Sequence, residues 1–248
     1  MRLPGVRGII ERRILTNFRV DADVLGRVLP EPFRPKLAHG WGVAGICLIR
    51  LAEIRPRLIP RVFGISSENA AHRIAVEWEG PNGMQQGVYI PRRDTSSRLN
   101  SLVGGRLFPG EHNLARFDVQ ESEYDFLVSM SDPVCGASML VEASVADSIS
   151  HDSIFDSIQK ASSFFEAGAL GYSATSRAGQ FDGLELRTFE WQVQPLIVKR
   201  VESSFFSDES RFPKGAVEFD CALLMRNLTH EWLSREPICC SGPMRDAG

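Results

Sequence analysis

Apolar and polar residues alternate over most of this chain, and a period of two predicts β-strands rather than helices. An opening strand is expected over 9–20, followed by a short helix capped by Asp21 or Asp23 and stopped by Pro30 and Pro32. The run Gly42 to Leu51 (GVAGICLIRL) is almost continuously apolar, which suits a strand buried on both faces. Residues 68–78 alternate, Gly80-Pro81-Asn82-Gly83 turns, and 84–90 returns, giving a hairpin. A second hairpin is expected over 115–130, and further strands over 184–193, 196–206 and 216–228. Helical spacing is confined to 95–106, which Asp94 would cap and Gly104-Gly105 would end, and to 152–169, where Ile154, Ile158, Ala161 and Phe165 share a face. The pattern predicts a mostly β, α+β fold: an antiparallel-rich barrel or sandwich with two or three helices packed against it. One domain is expected over 1–232, with 233–248 as a flexible tail.

Side-chain alternation singles out one strand. Ile74, Val76 and Trp78 share a face with Glu68 and His72, and the apolar side is read as the inward side. An inward carboxylate is costly unless paired. Two readings stay open: a strand end where Glu68 is solvated or bonds His72 or an arginine, or a polar site in a barrel mouth. In the second, burial would raise the acid's pKa and suit it to proton transfer. A second candidate is Pro91-Arg92-Arg93-Asp94-Thr95-Ser96-Ser97-Arg98, where arginine forks flank an expected helix start, an arrangement suited to an anion. Its alternative is a solvated helix start with Arg92, Arg93 and Arg98 paired to carboxylates. A third is Glu111-His112, adjacent acid and base after a sharp turn, or simply a loop-to-strand junction.

Composition narrows the partners. The net charge of −3 gives no electrostatic reason to expect nucleic acid or an anionic membrane. No apolar run is long enough to span a bilayer or serve as a secretion signal, so the expected location is cytoplasmic. The five cysteines show no C-x-x-C spacing; Cys47 and Cys221 read as small buried hydrophobes, and Cys239-Cys240 falls in the expected tail. The five histidines neither pair at i,i+4 nor adjoin clustered cysteines, so neither metal nor other cofactor is expected. Only Lys36, Lys160, Lys199 and Lys214 are lysines among 28 lysines and arginines, so a local surplus of arginine needs no special cause.

Several segments together are specific. "LTNFRVDADVLGRVLPEPFRPKL", "GICLIRL", "IRPRLIP", "SSENAAHRIAVEW", "GVYIPRRDTSSRLNSLVGGRLFPG" and "SSFFEAGALGYSAT" resemble, in that order, the YqjF-like family of uncharacterised proteins in the acetoacetate decarboxylase-like superfamily. The resemblance spans about residues 10–232. It implies a distorted, antiparallel-rich β-barrel enclosing a ligand cavity, with two or three peripheral helices, and a homo-oligomer. It also implies that Glu68 matches a cavity glutamate, and that the superfamily's Schiff-base lysine pair would follow Leu107-Phe108-Pro109. Gly110 and Glu111 stand there instead, and neither can form an imine. The expected activity is therefore non-covalent: a lyase, hydratase or cyclase acting on a small carbonyl compound or organic acid. In it, Glu68, His72 and Glu111 would move protons, and Arg92, Arg93, Arg98 and His112 would hold substrate. The alternative is a non-catalytic binder or sensor that keeps the cavity.

Overall fold

A computed structural model describes residues 5–103 and 110–239. Among them lie β1 (Val6–Val20), α1 (Ala22–Val28), β2 (Arg34–Pro35), β3 (Leu37–Ala38), β4 (Trp41–Pro56), β5 (Ile65–Gly80) and β6 (Gly83–Thr95). Then come α2 (Arg98–Val103), β7 (His112–Leu114), β8 (Arg116–Glu121), β9 (Asp125–Ser131), β10 (Ser138–Val145) and α3 (Ile158–Glu166). β11 (Leu170–Ala174), β12 (Gln180–Thr188), β13 (Gln194–Ser203) and β14 (Val217–Cys239) complete the order. β1, β4, β5, β6, β11, β12 and β14 neighbour one another in that sequence, and β14 pairs back onto β1, closing a ring. From β14 the sheet also runs outward through β13, β10, β9 and β8 as a wing. The mostly β architecture expected from the alternation is the one observed, and its central strands form a ring, as the resemblance implied.

The continuous apolar run in β4 has a direct cause. Ala44, Ile46 and Leu48 enter one core with Ile14, Ile74, Val76 and the wing residues Val128 and Val141. Val43, Cys47 and Leu51 enter a second core with Leu15, Ala75 and the helical residues Ala161 and Phe165. Both faces of β1, β4 and β5 are thus covered, one by the wing and one by α3 and its approach. α1 begins where expected, with Asp21 Oδ1 accepting from the backbone N–H groups of Asp23 (3.0 Å) and Val24 (2.9 Å). No helix among the described residues is long and apolar enough to cross a membrane.

Several element boundaries differ from expectation. The helix expected over 152–169 shrinks to α3, because Ser157 caps it, its Oγ accepting from Lys160 N at 3.3 Å, while Asp220 holds the preceding segment through Ile154 N at 2.7 Å. The helix expected over 95–106 becomes α2, starting at Arg98. Asp94, its expected cap, is instead a buried residue of β6 paired with Arg92. β14 continues beyond the boundary expected at 232, because β12 gives its end a partner: Phe181 faces Ile238 and Gln180 faces Cys239. Residues 104–109, Cys240 and the rest of the expected tail lie outside the described residues.

Candidate functional site

Every strand of the ring contributes to one cavity of about 140 Å³: Arg13 from β1, Cys47 from β4, Arg73 from β5, Arg93 from β6, Gly171 from β11, Leu186 from β12 and Trp232 from β14. The cavity is the interior of the ring. On β5 it takes Asn69, Ala71 and Arg73, the face opposite Ile74, Val76 and Trp78. The apolar side of β5 therefore packs against the wing, and its more polar side lines the cavity.

A bulge decides which arginine enters. Between His72↔Arg92 and Ile74↔Tyr89, β6 carries one more residue than β5, at Ile90-Pro91. Pro91 has no N–H to give the ladder, so pairing breaks there at little cost. The extra residue puts Val88, Ile90 and Arg93 on the cavity side, where unbroken alternation from 88 and 90 would have put Arg92. Arg92 turns the other way. It donates to Asp94 through Nε (3.1 Å) and Nη2 (2.6 Å), and to Asp132 at 2.6 Å.

The cavity arginines have no such partners. Among the described residues, no carboxylate lies within ion-pair distance of Arg13, Arg73 or Arg93. Arg13 donates to Cys47 Sγ at 3.4 Å, and its guanidinium lies 5.9 Å from the Trp191 ring centre. Arg73, only 6% exposed, donates to Asn17 Oδ1, rests 4.8 Å above the Phe165 ring, and leaves its Nε without an acceptor. Arg93 donates from Nε to Ser173 Oγ at 3.1 Å. Burial pushes both Arg73 and Arg93 down to about 10, still protonated at neutral pH. Two glycines make room for these forks. A Cβ on Gly45 would run into the Thr16 carbonyl and stand 3.4 Å from Arg73 Nη2. Gly110, at φ +78°, lies under Ser173 and Arg93 Nε.

The residues expected from sequence divide between two places. His112 lines the cavity beside Arg93, its register partner across β6 and β7, with Nδ1 3.2 Å from the Gly110 carbonyl. Burial, then the Arg93 charge, lowers it to about 4, so the imidazole is neutral at physiological pH. Glu68 does not reach the cavity. With Glu121 it closes a four-membered ion network around Arg12 and Arg50, with Arg12 2.6 Å from each carboxylate. His72 is fully buried on the wing side, its Nε2 3.0 Å from Ser203 Oγ and its ring 4.5 Å from that of Phe205. Burial there lowers it to about 3. Glu111 is exposed, as is Arg98 at the start of α2, and neither lines the cavity. Of the expected set, Arg93 and His112 are brought together. Arg13, Arg73 and Cys47 join them unexpectedly; the available signal was a pair of arginines at odd positions in strands otherwise rich in apolar residues.

None of the four lysines lines the cavity. Lys36 sits 4.1 Å from the Phe164 ring centre, Lys160 pairs with Asp156, Lys199 lies 3.5 Å from Asp125, and Lys214 is exposed. Segment 107–109, where the resemblance aligned the approach to the lysine pair, lies outside the described residues. Among the described residues no cluster of side chains could hold a metal ion.

A family profile described as an uncharacterized conserved protein, DUF2071, covers residues 10–217. The chain belongs to the DUF2071 family. No curated protein sequence matches it. Among solved structures, this DUF2071 chain is similar to acetoacetate decarboxylase from Legionella pneumophila, with a TM-score of 0.64 at 11% identity over 96% of this chain and 88% of that one. It is similar to an acetoacetate decarboxylase-like enzyme from Sphingomonas wittichii, with a TM-score of 0.55 at 10% identity over 95% and 92% of the two chains. It is also similar to the enduracididine biosynthesis enzyme MppR complexed with pyruvate, with a TM-score of 0.57 at 9% identity over 96% and 91%. At such identities the likeness establishes the fold, which is acetoacetate decarboxylase-like, and says nothing further about chemistry.

Proposed function

We propose that the ring interior binds a small organic acid, and that the DUF2071 chain acts on it by proton transfer without a covalent intermediate. The observation that carries this reading is the set of three arginines lining one cavity, none of them with a carboxylate at ion-pair distance among the described residues. Asp94, which also borders the cavity, pairs with Arg92. A desolvated guanidinium is costly unless an anion completes it, and its planar fork matches a carboxylate. Arg93 would hold the acid, with Arg73 and Arg13 adding positive charge. His112, neutral and adjacent to Arg93, would take a proton from the carbon next to the acid's carbonyl group. With no lysine in the cavity, that proton transfer replaces imine chemistry.

A non-catalytic binder is the second reading. Its support is that Asp94, the carboxylate nearest in sequence to the cavity arginine, is already engaged by Arg92. Pyruvate separates the two, because a fold neighbour is complexed with it and its methyl protons report on a base. Calorimetry should detect pyruvate binding, with pyruvamide, its neutral analogue, binding at least about tenfold more weakly. In heavy water, NMR should show the methyl protons exchanging in the presence of protein, and His112→Gln should stop the exchange while pyruvate still binds. Binding without exchange selects the non-catalytic reading, and equal affinity for acid and amide removes both.

A further inference from the structure

Cys47 reads from sequence as a small buried hydrophobe, and its place in the ring gives it different surroundings. It lies at the middle of β4, opposite Ala71 of β5, which in turn faces Arg93 of β6, and Arg93 faces His112 of β7. Its sulfur accepts from Arg13 Nε at 3.4 Å, and Arg73 and Arg93 line the same cavity. Cys47 is 8% exposed, is unpaired as a thiol, and borders the cavity. Arg73, more than nine-tenths buried and with Nε unsatisfied, borders the same space.

The other described cysteines lack this setting. Cys221 is buried beside Asp220, and burial drives its thiol far above the ordinary range. Cys135 meets Arg92 at 3.1 Å, but Asp132 accepts from its thiol at 3.0 Å and cancels the cation. Cys239 is exposed at the end of β14. At Cys47, by contrast, Arg13, Arg73 and Arg93 border the same space as the sulfur, and among the described residues none of the three has a carboxylate at ion-pair distance. An anionic reagent would thus be held beside a nucleophilic atom.

We propose that Cys47 is a nucleophilic cysteine, a covalent-modification site for small anionic electrophiles that the cavity arginines seat against it. An α,β-unsaturated carboxylate is the class that fits. The sulfur would attack the β-carbon, the π pair would move to the α-carbon, and the proton lost from the thiol would end there, giving a thioether with no oxidant or leaving group. The inference rests on the proposed anion site, because those arginines must seat the electrophile before sulfur can attack it.

Iodoacetate and iodoacetamide provide the test, since both form a carbon–sulfur bond and expel iodide but only the first is anionic. Each is applied to the full chain, and adduct formation at every cysteine is timed by peptide mass spectrometry. Cys47 should react about tenfold or more faster with iodoacetate than with iodoacetamide, while Cys135 and Cys239 in the same digest favour the neutral reagent. Arg73→Gln and Arg13→Gln should each reduce that Cys47 preference several-fold, a readout that a merely structural role would not move. The proposal is overturned if Cys47 forms no adduct, or if its preference matches that of Cys135 and Cys239. Pyruvate calorimetry on the same preparation keeps the two claims apart. Pyruvate binding with an unselective Cys47 removes the nucleophile and keeps the anion site. Selective Cys47 alkylation without pyruvate binding keeps the nucleophile and removes the keto-acid reading.

Discussion

A guanidinium taken out of water among apolar and aromatic groups loses hydration that only hydrogen bonds and a counter-ion can return. Arg73 has one acceptor in Asn17 and the face of Phe165, and Arg12, equally buried, has two carboxylates. The difference separates a site from a structural brace. Glu68 belongs to the brace: Glu68→Gln removes one of two charges holding Arg12 and Arg50, and is expected to lower stability by about 1–3 kcal/mol. Pyruvate affinity should stay within about twofold. Chemical denaturation with calorimetry checks both, and lost binding at unchanged stability would return Glu68 to the cavity. The histidines give a second prediction. His72, His112 and His230 are held down to about 3, 4 and 4, chiefly by burial, against an ordinary 6.5. As pH falls below 6.5 the unfolded chain takes up protons that the folded chain refuses, so stability must fall between about 6.5 and 4. The slope is at most ~1.4 kcal/mol per pH unit for each histidine. The urea midpoint should be lower at pH 5 than at pH 7.5, a range above that in which most carboxylates titrate. An unchanged midpoint would mean these imidazoles are already hydrated.

At the scale of the element, Gly45 and Pro91 set the cavity. Gly45 of β4 faces Arg73 in register, and its missing Cβ leaves space that the Thr16 carbonyl bounds. Backbone cannot retreat as a side chain can, so Gly45→Ala should cost about 1–3 kcal/mol. It should also weaken pyruvate by displacing the Arg73 fork. Full stability with full affinity would show that the strands spread freely. These elements also show what the sequence could reveal. Period-two alternation marked β1, β5 and β14, and the unbroken apolar run of β4 announced burial on both faces. Alternation in β5 separated its two faces but could not say which one met a void, because the wing covers the face of Ile74 and Val76 as fully as any barrel interior would. The void therefore fell to the side of Asn69, Ala71 and Arg73. Likewise Arg92 and Arg93 looked equivalent until the extra residue at Ile90-Pro91 fixed the phase of β6. β7 and β11 are too short to carry a period, which is why neither was legible.

For the whole molecule, the closed ring does what a single strand pair cannot: it lets residues more than 200 positions apart, Arg13 and Trp232, border one space. The same closure leaves all four lysines outside that space. Borohydride reduction in the presence of acetoacetate should therefore leave the mass of the chain unchanged, and an adduct on Lys36, Lys160, Lys199 or Lys214 would contradict non-covalent chemistry. The central claim is that the cavity arginines, which among the described residues pair with no carboxylate, recognise an organic acid, and Arg93 with its neighbour Arg92 provides the internal control. The decisive measurement is the pyruvate dissociation constant, by calorimetry, for the unaltered chain, Arg93→Gln and Arg92→Gln. Arg93→Gln should weaken pyruvate about ten- to a hundredfold. Its pyruvate-free melting temperature should be unchanged or raised, because a partly buried charge that pairs with no carboxylate among the described residues is gone. Arg92→Gln should leave affinity nearly intact and lower the melting temperature, because Asp94 and Asp132 lose their cation. Equal affinities in all three proteins, or loss confined to Arg92→Gln, would contradict the account.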